Sequence, residues 1–331
     1  MCISSDTFAL GWIRFGRKIV KIAVYGVGAV GGYFGARLAQ AGCDVTFIAR
    51  GESVDILRNN GLRVESLAGD FVLNNVQVVS DPGALGPVDA VFVTVKAWQL
   101  DEVAQSLGPL LNEDSAVVPL LNGVEAPEVL AQAVGKAHVL GGLCAIVAER
   151  VAPGFIRHTG AAPHVTFGEL DNVRSPRVVK LQAAFSKALG ADAHIADDIQ
   201  VALWQKFMLI CPWSGVGAVT RSPAGVFRSH PATRALLIAA CTEVATLARA
   251  RGVRIPHDAV ESIVAYFDTV PEGAIASMHR DIVEGRPSEL QVQNGAVVRM
   301  GEAAGIDTPV NRFIASALSP LELRARGELT W

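Results

Sequence analysis

An apolar run, Ile22-Ala23-Val24-Tyr25, passes directly into Gly26-Val27-Gly28-Ala29-Val30-Gly31, and this segment constrains the fold more than any other. A helical pattern follows over 33–41, and a second apolar run over 45–49 ends in Arg50. In a strand–turn–helix–strand setting, Gly-x-Gly-x-x-Gly reads as a dinucleotide site rather than an ordinary glycine-rich turn. Gly26 permits the tight turn, Gly28 lets the backbone approach a pyrophosphate, and Gly31 lets helix and strand pack closely. The phosphates would meet the unpaired N–H groups at the helix N-terminus, with Val27, Ala29 and Val30 completing the expected cofactor loop.

Arg50 bears on which dinucleotide. NAD-binding versions of the motif place an acid at the end of the second strand for the ribose 2′-hydroxyl, whereas NADP-binding versions accommodate a 2′-phosphate, with an Arg nearby. Asp44 is the only nearby acid before Arg50, and it opens the strand. At 3.3 Å per residue it lies about 17 Å away, too far to serve the same ribose. NADP is the expected cofactor, with a solvated surface arginine as the alternative reading of Arg50.

At 331 residues the chain has room for two domains. Half the residues are hydrophobic and 18% charged, and the net charge is −3, which argues against nucleic acid or an anionic membrane as partner. No uninterrupted apolar segment reaches the ~18 residues that suggest a membrane span. The five cysteines (Cys2, Cys43, Cys144, Cys211, Cys241) are scattered and form no C-x-x-C pair. That is reduced, cytoplasmic usage without a disulfide framework or metal site. Residues 1–17 read as an N-terminal extension, because basic residues follow the apolar patch instead of leading it as in a signal peptide.

Strand and helix patterns alternate through the first half. A short helix is expected at 53–59 and extended segments over 62–79. A buried strand over 88–95 ends at Lys96, a helix fits 99–111, and a strand over 116–121 closes on Asn122-Gly123. A helix at 127–134, a strand at 138–148, a hairpin over 154–169 and a helix at 176–189 complete this half. Such alternation implies a doubly wound parallel sheet of the Rossmann type. Ligands bind beyond the carboxyl ends of its strands, which makes Lys96 and Asn122 site candidates. Beyond 197 the pattern is helical, over about 198–211, 231–251, 257–267, 273–284 and 288–304. The expected division is a Rossmann domain over 18–196 and an all-helical domain over 197–331.

Asp198 suits a helix cap. The helix that follows carries Ile199, Leu203, Lys206 and Ile210 on one face, and Lys206 is the only charged residue between Asp198 and Arg221. A lysine at the centre of an apolar helix is costly unless paired or near water, which marks it as a candidate catalytic group; the alternative is a lysine snorkelling at the helix margin. Glu289, at the start of a later helix, is a candidate partner, or simply a first-turn acid. Ser277 and Asp281 share the preceding helix.

Several segments now add up. The glycine motif with its Arg, Val95-Lys96-Ala97-Trp98-Gln99, Leu121-Asn122-Gly123, Trp204-Gln205-Lys206-Phe207, Ser277-Met278 and Arg286-Pro287-Ser288-Glu289-Leu290 with Asn294-Gly295 occur in an order that resembles the ketopantoate reductase (2-dehydropantoate 2-reductase) family. The likeness runs from about residue 21 to 319. It implies NADPH-dependent reduction of a 2-oxo acid, ketopantoate to pantoate, in a cleft between the two domains. By this resemblance Lys206 is the general acid and Glu289 orients it or a substrate hydroxyl. Ser277, Asn122 and Ser214 would bind substrate, and Lys96, Gln99 and Asn122 would join the cofactor contacts.

The chain departs from the family at four positions where asparagine is usual: Ile210, Ser214, Ala224 and Ala274. The hydride and proton machinery is therefore expected intact and the substrate pocket altered. A related two-domain hydroxyacid or polyol-phosphate dehydrogenase and a silent NADP-binding sensor remain as alternatives. The apolar second-domain helices could serve as a homodimer surface or as core.

Overall fold

A computed structural model describes residues 19–331; the expected extension over 1–17 lies outside the described residues. The first half runs β1 (Lys21–Tyr25), α1 (Ala29–Gln40), β2 (Asp44–Ile48), α2 (Glu52–Asn60), β3 (Leu62–Ser66), β4 (Phe71–Leu73), β5 (Gln77–Val79) and β6 (Ala90–Val93). It continues with α3 (Leu100–Gln105), β7 (Ala116–Pro119), α4 (Ala126–Val134), β8 (Leu140–Ala145), β9 (Ala148–Ala152), β10 (Phe155–His158), β11 (His164–Glu169), α5 (Pro176–Phe185) and β12 (Asp192–Ile195). Only helices follow: α6 (Ile199–Thr220), α7 (Ala224–Ser229), α8 (Pro231–Ala250), α9 (Ala259–Thr269), α10 (Ser277–Val283), α11 (Asn294–Ala304) and α12 (Pro309–Ala325).

The expected Rossmann-type sheet is present, with order β5-β2-β1-β6-β7 and all pairs parallel. Its central strands are apolar on both faces, as a sheet covered on both sides requires. A parallel bridge from Val117 to Val139 leads on to β8, which pairs antiparallel with β11, itself parallel to β12. A second sheet, β4-β3-β10-β9, covers the outer face of α1. Enclosed between two sheets, α1 is buried from Gly31 to Leu38. Small residues make that possible: a Cβ on Gly32 would meet Ile156 at 2.8 Å, and one on Gly35 would meet Phe47 at 2.6 Å. The buried guanidinium of Arg37 donates to the Gly69 carbonyl at 2.8 Å and stacks on Phe71.

Several boundaries differ from expectation. The hairpin expected over 154–169 does not form, since β10 and β11 lie in different sheets. The hairpin is β9–β10, turning at Pro153-Gly154, and the strand expected over 138–148 accordingly splits into β8 and β9. The helix expected over 99–111 is a single α-helical stretch, α3, flanked by two 3-10 turns, with Pro109 in the second.

In the helical half, α6 does not stop near 211 but continues through Pro212 to Thr220, because residues 214–218 are buried and packing outweighs the missing N–H. Gly215 and Gly217 let Asn294 and His279 come against its backbone. Both α7 and α12 went unanticipated, and α11 begins at Asn294 rather than near 288. α8 is the one described helix long and apolar enough to cross a membrane by length and composition. Leu237, Cys241, Val244 and Ala248 on it are fully buried, the usual stripe of a core helix packed on α6.

Candidate active site

The glycine loop crosses the carboxyl edge of the parallel sheet. Gly26 has φ +99°, and a Cβ there would lie 2.9 Å from Val95 Cγ1. Thr94 Oγ1 donates to the Gly26 carbonyl at 2.7 Å, clamping the loop onto the end of β6. A Cβ on Gly31 would fall 2.1 Å from the Gly26 oxygen and 2.2 Å from Thr94 Oγ1. Gly28 differs: it is the N-cap of α1, extended, with no side-chain cap and no atom within 4 Å of a Cβ. Its surroundings, with half-buried Val27, Ala29 and Val30, form an open cradle in front of uncapped helix N–H groups. Those are the features an anionic pyrophosphate needs, so the residues fit a dinucleotide.

Arg50 leaves the end of β2 exposed and does not stand alone. Its Nη1 lies 2.8 Å from Glu102 on α3, and its Nη2 reaches the Tyr25 hydroxyl at 3.5 Å. The hydrogen bond to Glu102, then that to Tyr25, raises the Arg50 pKa; the same pairing with Arg50 lowers that of Glu102. Asp44, at the other end of β2, accepts from Gln77 Nε2 at 2.9 Å.

Two polar contacts join the Rossmann edge to the helical half. Lys96 Nζ pairs with Asp281 Oδ2 at 3.0 Å, and Asp281 is also held by Arg286 Nε at 3.0 Å. Gln99 turns back so that its amide oxygen accepts from the Lys96 N–H at 3.2 Å. Asn122 Nδ2 donates to Glu289 Oε2 at 2.8 Å. Gly123 makes the approach possible: its φ is +94°, and a Cβ would lie 2.8 Å from the Val292 carbonyl oxygen. Glu289 is not in the first turn of a helix as expected but at the start of a 3-10 turn. The preceding Ser288 anchors it, its N–H and hydroxyl both donating to the buried Glu322 carboxylate, which Arg326 holds at 2.6 Å.

Lys206 is half-buried on α6 and does not take the carboxylate offered for it. Glu289 is engaged with Asn122, and among the described residues Lys206 Nζ has no ion pair or hydrogen bond. The two charges nevertheless act on a common group. Burial raises the pKa of the Cys144 thiol, Lys206 lowers it and Glu289 raises it. Both charges thus lie within electrostatic reach of Cys144 on β8.

Ser277 is the first, exposed residue of α10, and Ser214 is buried on α6. Ala224 and Ala274, separated by fifty positions, are brought together, the Ala224 N–H donating to the Ala274 carbonyl at 3.0 Å. Ile210 is half-buried. Sequence reasoning missed the Asp281 link to Lys96 and the Thr94 clamp. The only signal for Asp281 was its spacing of four from Ser277, which puts both on one face of α10.

Two adjacent family models match, described as "Ketopantoate reductase PanE/ApbA" over residues 22–172 and its C-terminal counterpart over 198–322. A 2-dehydropantoate 2-reductase of Nostoc sp. is 29% identical, the alignment covering 94% of this chain and 98% of that one. A solved 2-dehydropantoate 2-reductase of Geobacter metallireducens is 31% identical with TM-score 0.84, covering 91% of this chain and 99% of that one. A solved D-mandelate dehydrogenase, described with NADH and anilino(oxo)acetate, superposes with TM-score 0.84 at 23% identity, covering 93% of this chain and all of that one; it shares the fold.

Proposed function

The chain belongs to the ketopantoate reductase family of oxidoreductases acting on CH–OH groups, and from that premise we propose that it reduces a 2-oxo acid to a 2-hydroxy acid with NADPH, in the cleft between residues 18–196 and 197–331. The observation that carries the reading is Lys206, a cation on α6 without a protein partner among the described residues, within electrostatic reach of the same Cys144 thiol as Glu289, which accepts from Asn122. When bound, NADPH supplies the hydride. The residues 26–31 hold its pyrophosphate, Arg50 pairs with the 2′-phosphate, and Lys96 and Gln99 line the approach.

Negative charge grows on the substrate carbonyl oxygen as the ketone is reduced. The Lys206 ammonium stabilises that charge and donates the proton that completes the hydroxyl. Glu289, fixed from behind by Ser288 and Glu322, aligns Asn122 and the substrate. Ser277 offers an exposed hydroxyl to the substrate, and Ser214 contributes from α6. The free thiols of Cys43, Cys144, Cys211 and Cys241 support a reducing, cytoplasmic setting.

A second reading, a reductase of a less hydroxylated 2-oxo acid, is favoured by Ile210, Ala224 and Ala274. At 224 and 274 the backbone donors are already engaged, the Ala224 N–H with the Ala274 carbonyl and the Ala274 N–H with the Pro271 carbonyl. A site without hydroxyl-directed donors gains little from a substrate hydroxyl. The test is NADPH oxidation with ketopantoate, its 4-deoxy analogue and bulkier 2-oxo acids. Turnover with a kcat/KM ratio of ketopantoate to 4-deoxy analogue below about 100 is expected. A ratio near 10⁴ overturns the altered-pocket reading, and no turnover with any 2-oxo acid overturns the enzyme reading in favour of an NADP-binding sensor.

A further inference from the structure

The ribose end of the cofactor site carries a charge that the NADPH reading does not use. Arg50 Nη1 is engaged by both oxygens of Glu102, at 2.8 and 2.9 Å. Behind it the buried Tyr25 hydroxyl lies 3.5 Å from Nη2 and 3.0 Å from Ser106 Oγ. Glu102 on α3 thus presents its carboxylate to this guanidinium, while Ser106, the residue that caps the C-terminus of α3, reaches the Tyr25 hydroxyl behind it rather than the guanidinium. Arg50 and Glu102 are 49% and 65% exposed, so their pair is weak and can rearrange.

We propose that Glu102 is a specificity-determining residue that weakens the preference for NADPH over NADH. The inference rests on the reading of Arg50 as partner of the 2′-phosphate. A dianionic phosphate and the Glu102 carboxylate must then share one guanidinium. Glu102 holds Nη1, leaving the Nε–Nη2 edge to the phosphate, and the two anions repel across it. NADH brings no charge to this point and leaves the Arg50–Glu102 pair undisturbed. The preference for NADPH is therefore the phosphate–Arg50 attraction reduced by the phosphate–Glu102 repulsion.

Glu102→Gln removes the charge and keeps an oxygen in reach of Nη1, so it separates repulsion from positioning. The experiment is calorimetric measurement of Kd for NADPH and NADH at low salt with the unmodified protein, Glu102→Gln and Arg50→Ala. Glu102→Gln is expected to tighten NADPH by roughly threefold to tenfold, with NADH changed less than about twofold and the NADPH gain shrinking at high salt. Unchanged or weaker NADPH binding in Glu102→Gln, with Arg50→Ala still losing NADPH selectively, overturns the proposal and leaves the NADPH reading in place. An NADPH/NADH ratio untouched by Arg50→Ala overturns both.

Discussion

Half-buried Lys206 and buried His279 are two titratable side chains with opposite prospects. Lys206 is half-buried with no protein partner among the described residues, so its charge is not taken up by a neighbouring side chain. Lys206→Ala is expected to leave the NADPH Kd nearly unchanged while lowering kcat by about 10² or more, measured by stopped-flow and steady-state assays. Near-normal turnover would return it to a snorkelling role. His279 is buried against Gly217 on α6, its Nδ1 without a hydrogen bond among the described residues, and burial lowers its pKa from the usual 6.5. A folded-state pKa below the unfolded one means the unfolded chain takes up the proton first, so stability is full above about pH 6.5 and falls as pH drops below it. Burial lowers His164 in the same direction. Calorimetric scans are expected to show Tm declining between about pH 7 and 5, with a shallower decline in His279→Gln. Parallel slopes in the two proteins would exclude His279 as a source.

The glycine loop shows at the scale of the element how one motif contains two kinds of glycine. Gly31 is a packing glycine, where a methyl group would fall on Gly26 O and Thr94 Oγ1. Gly28 has free space in front of it and ordinary backbone angles, which suit the proposed role of facing a ligand. Gly31→Ala is therefore expected to lower stability by about 2 kcal/mol or more in urea denaturation. Gly28→Ala should unfold like the unmodified protein yet bind NADPH at least roughly tenfold more weakly, since the methyl occupies the pyrophosphate cradle. Equal stability losses for both would contradict the division. The motif was legible because its sterics act within a few residues. The end of α6 was not, because Pro212 argues for a stop locally and only contacts from α8, α10, α11 and α12 carry the helix past it.

Across the whole molecule, the two halves meet through polar contacts far apart in sequence: Lys96 with Asp281, Asn122 with Glu289, and Arg299 with Glu125 at 2.9 Å. Asp281 is the most consequential of these acids, since it is largely buried and faces both Lys96 and Arg286. Asp281→Asn leaves two cations sharing a neutral amide, and a loss of about 1–2 kcal/mol is expected in chemical denaturation. An unchanged denaturation midpoint would show that other contacts hold the two halves together.

The amino-acid sequence by itself determined the Rossmann half, the helical half, the glycine loop and the identity of the charged residues worth watching. Each depends on short-range rules: the period of two or nearly four in apolar residues, the conformational freedom of glycine, and the cost of one lysine in an apolar helix. Only the tertiary structure decided who pairs with whom. Glu289 took Asn122 rather than Lys206, Lys96 found Asp281 across 185 positions, Glu102 claimed Arg50, and β10 joined β3 instead of β11. Such pairings depend on which strand ends and helix faces the packed core brings within hydrogen-bonding distance, and a hydrogen bond weakens steeply beyond about 3.5 Å.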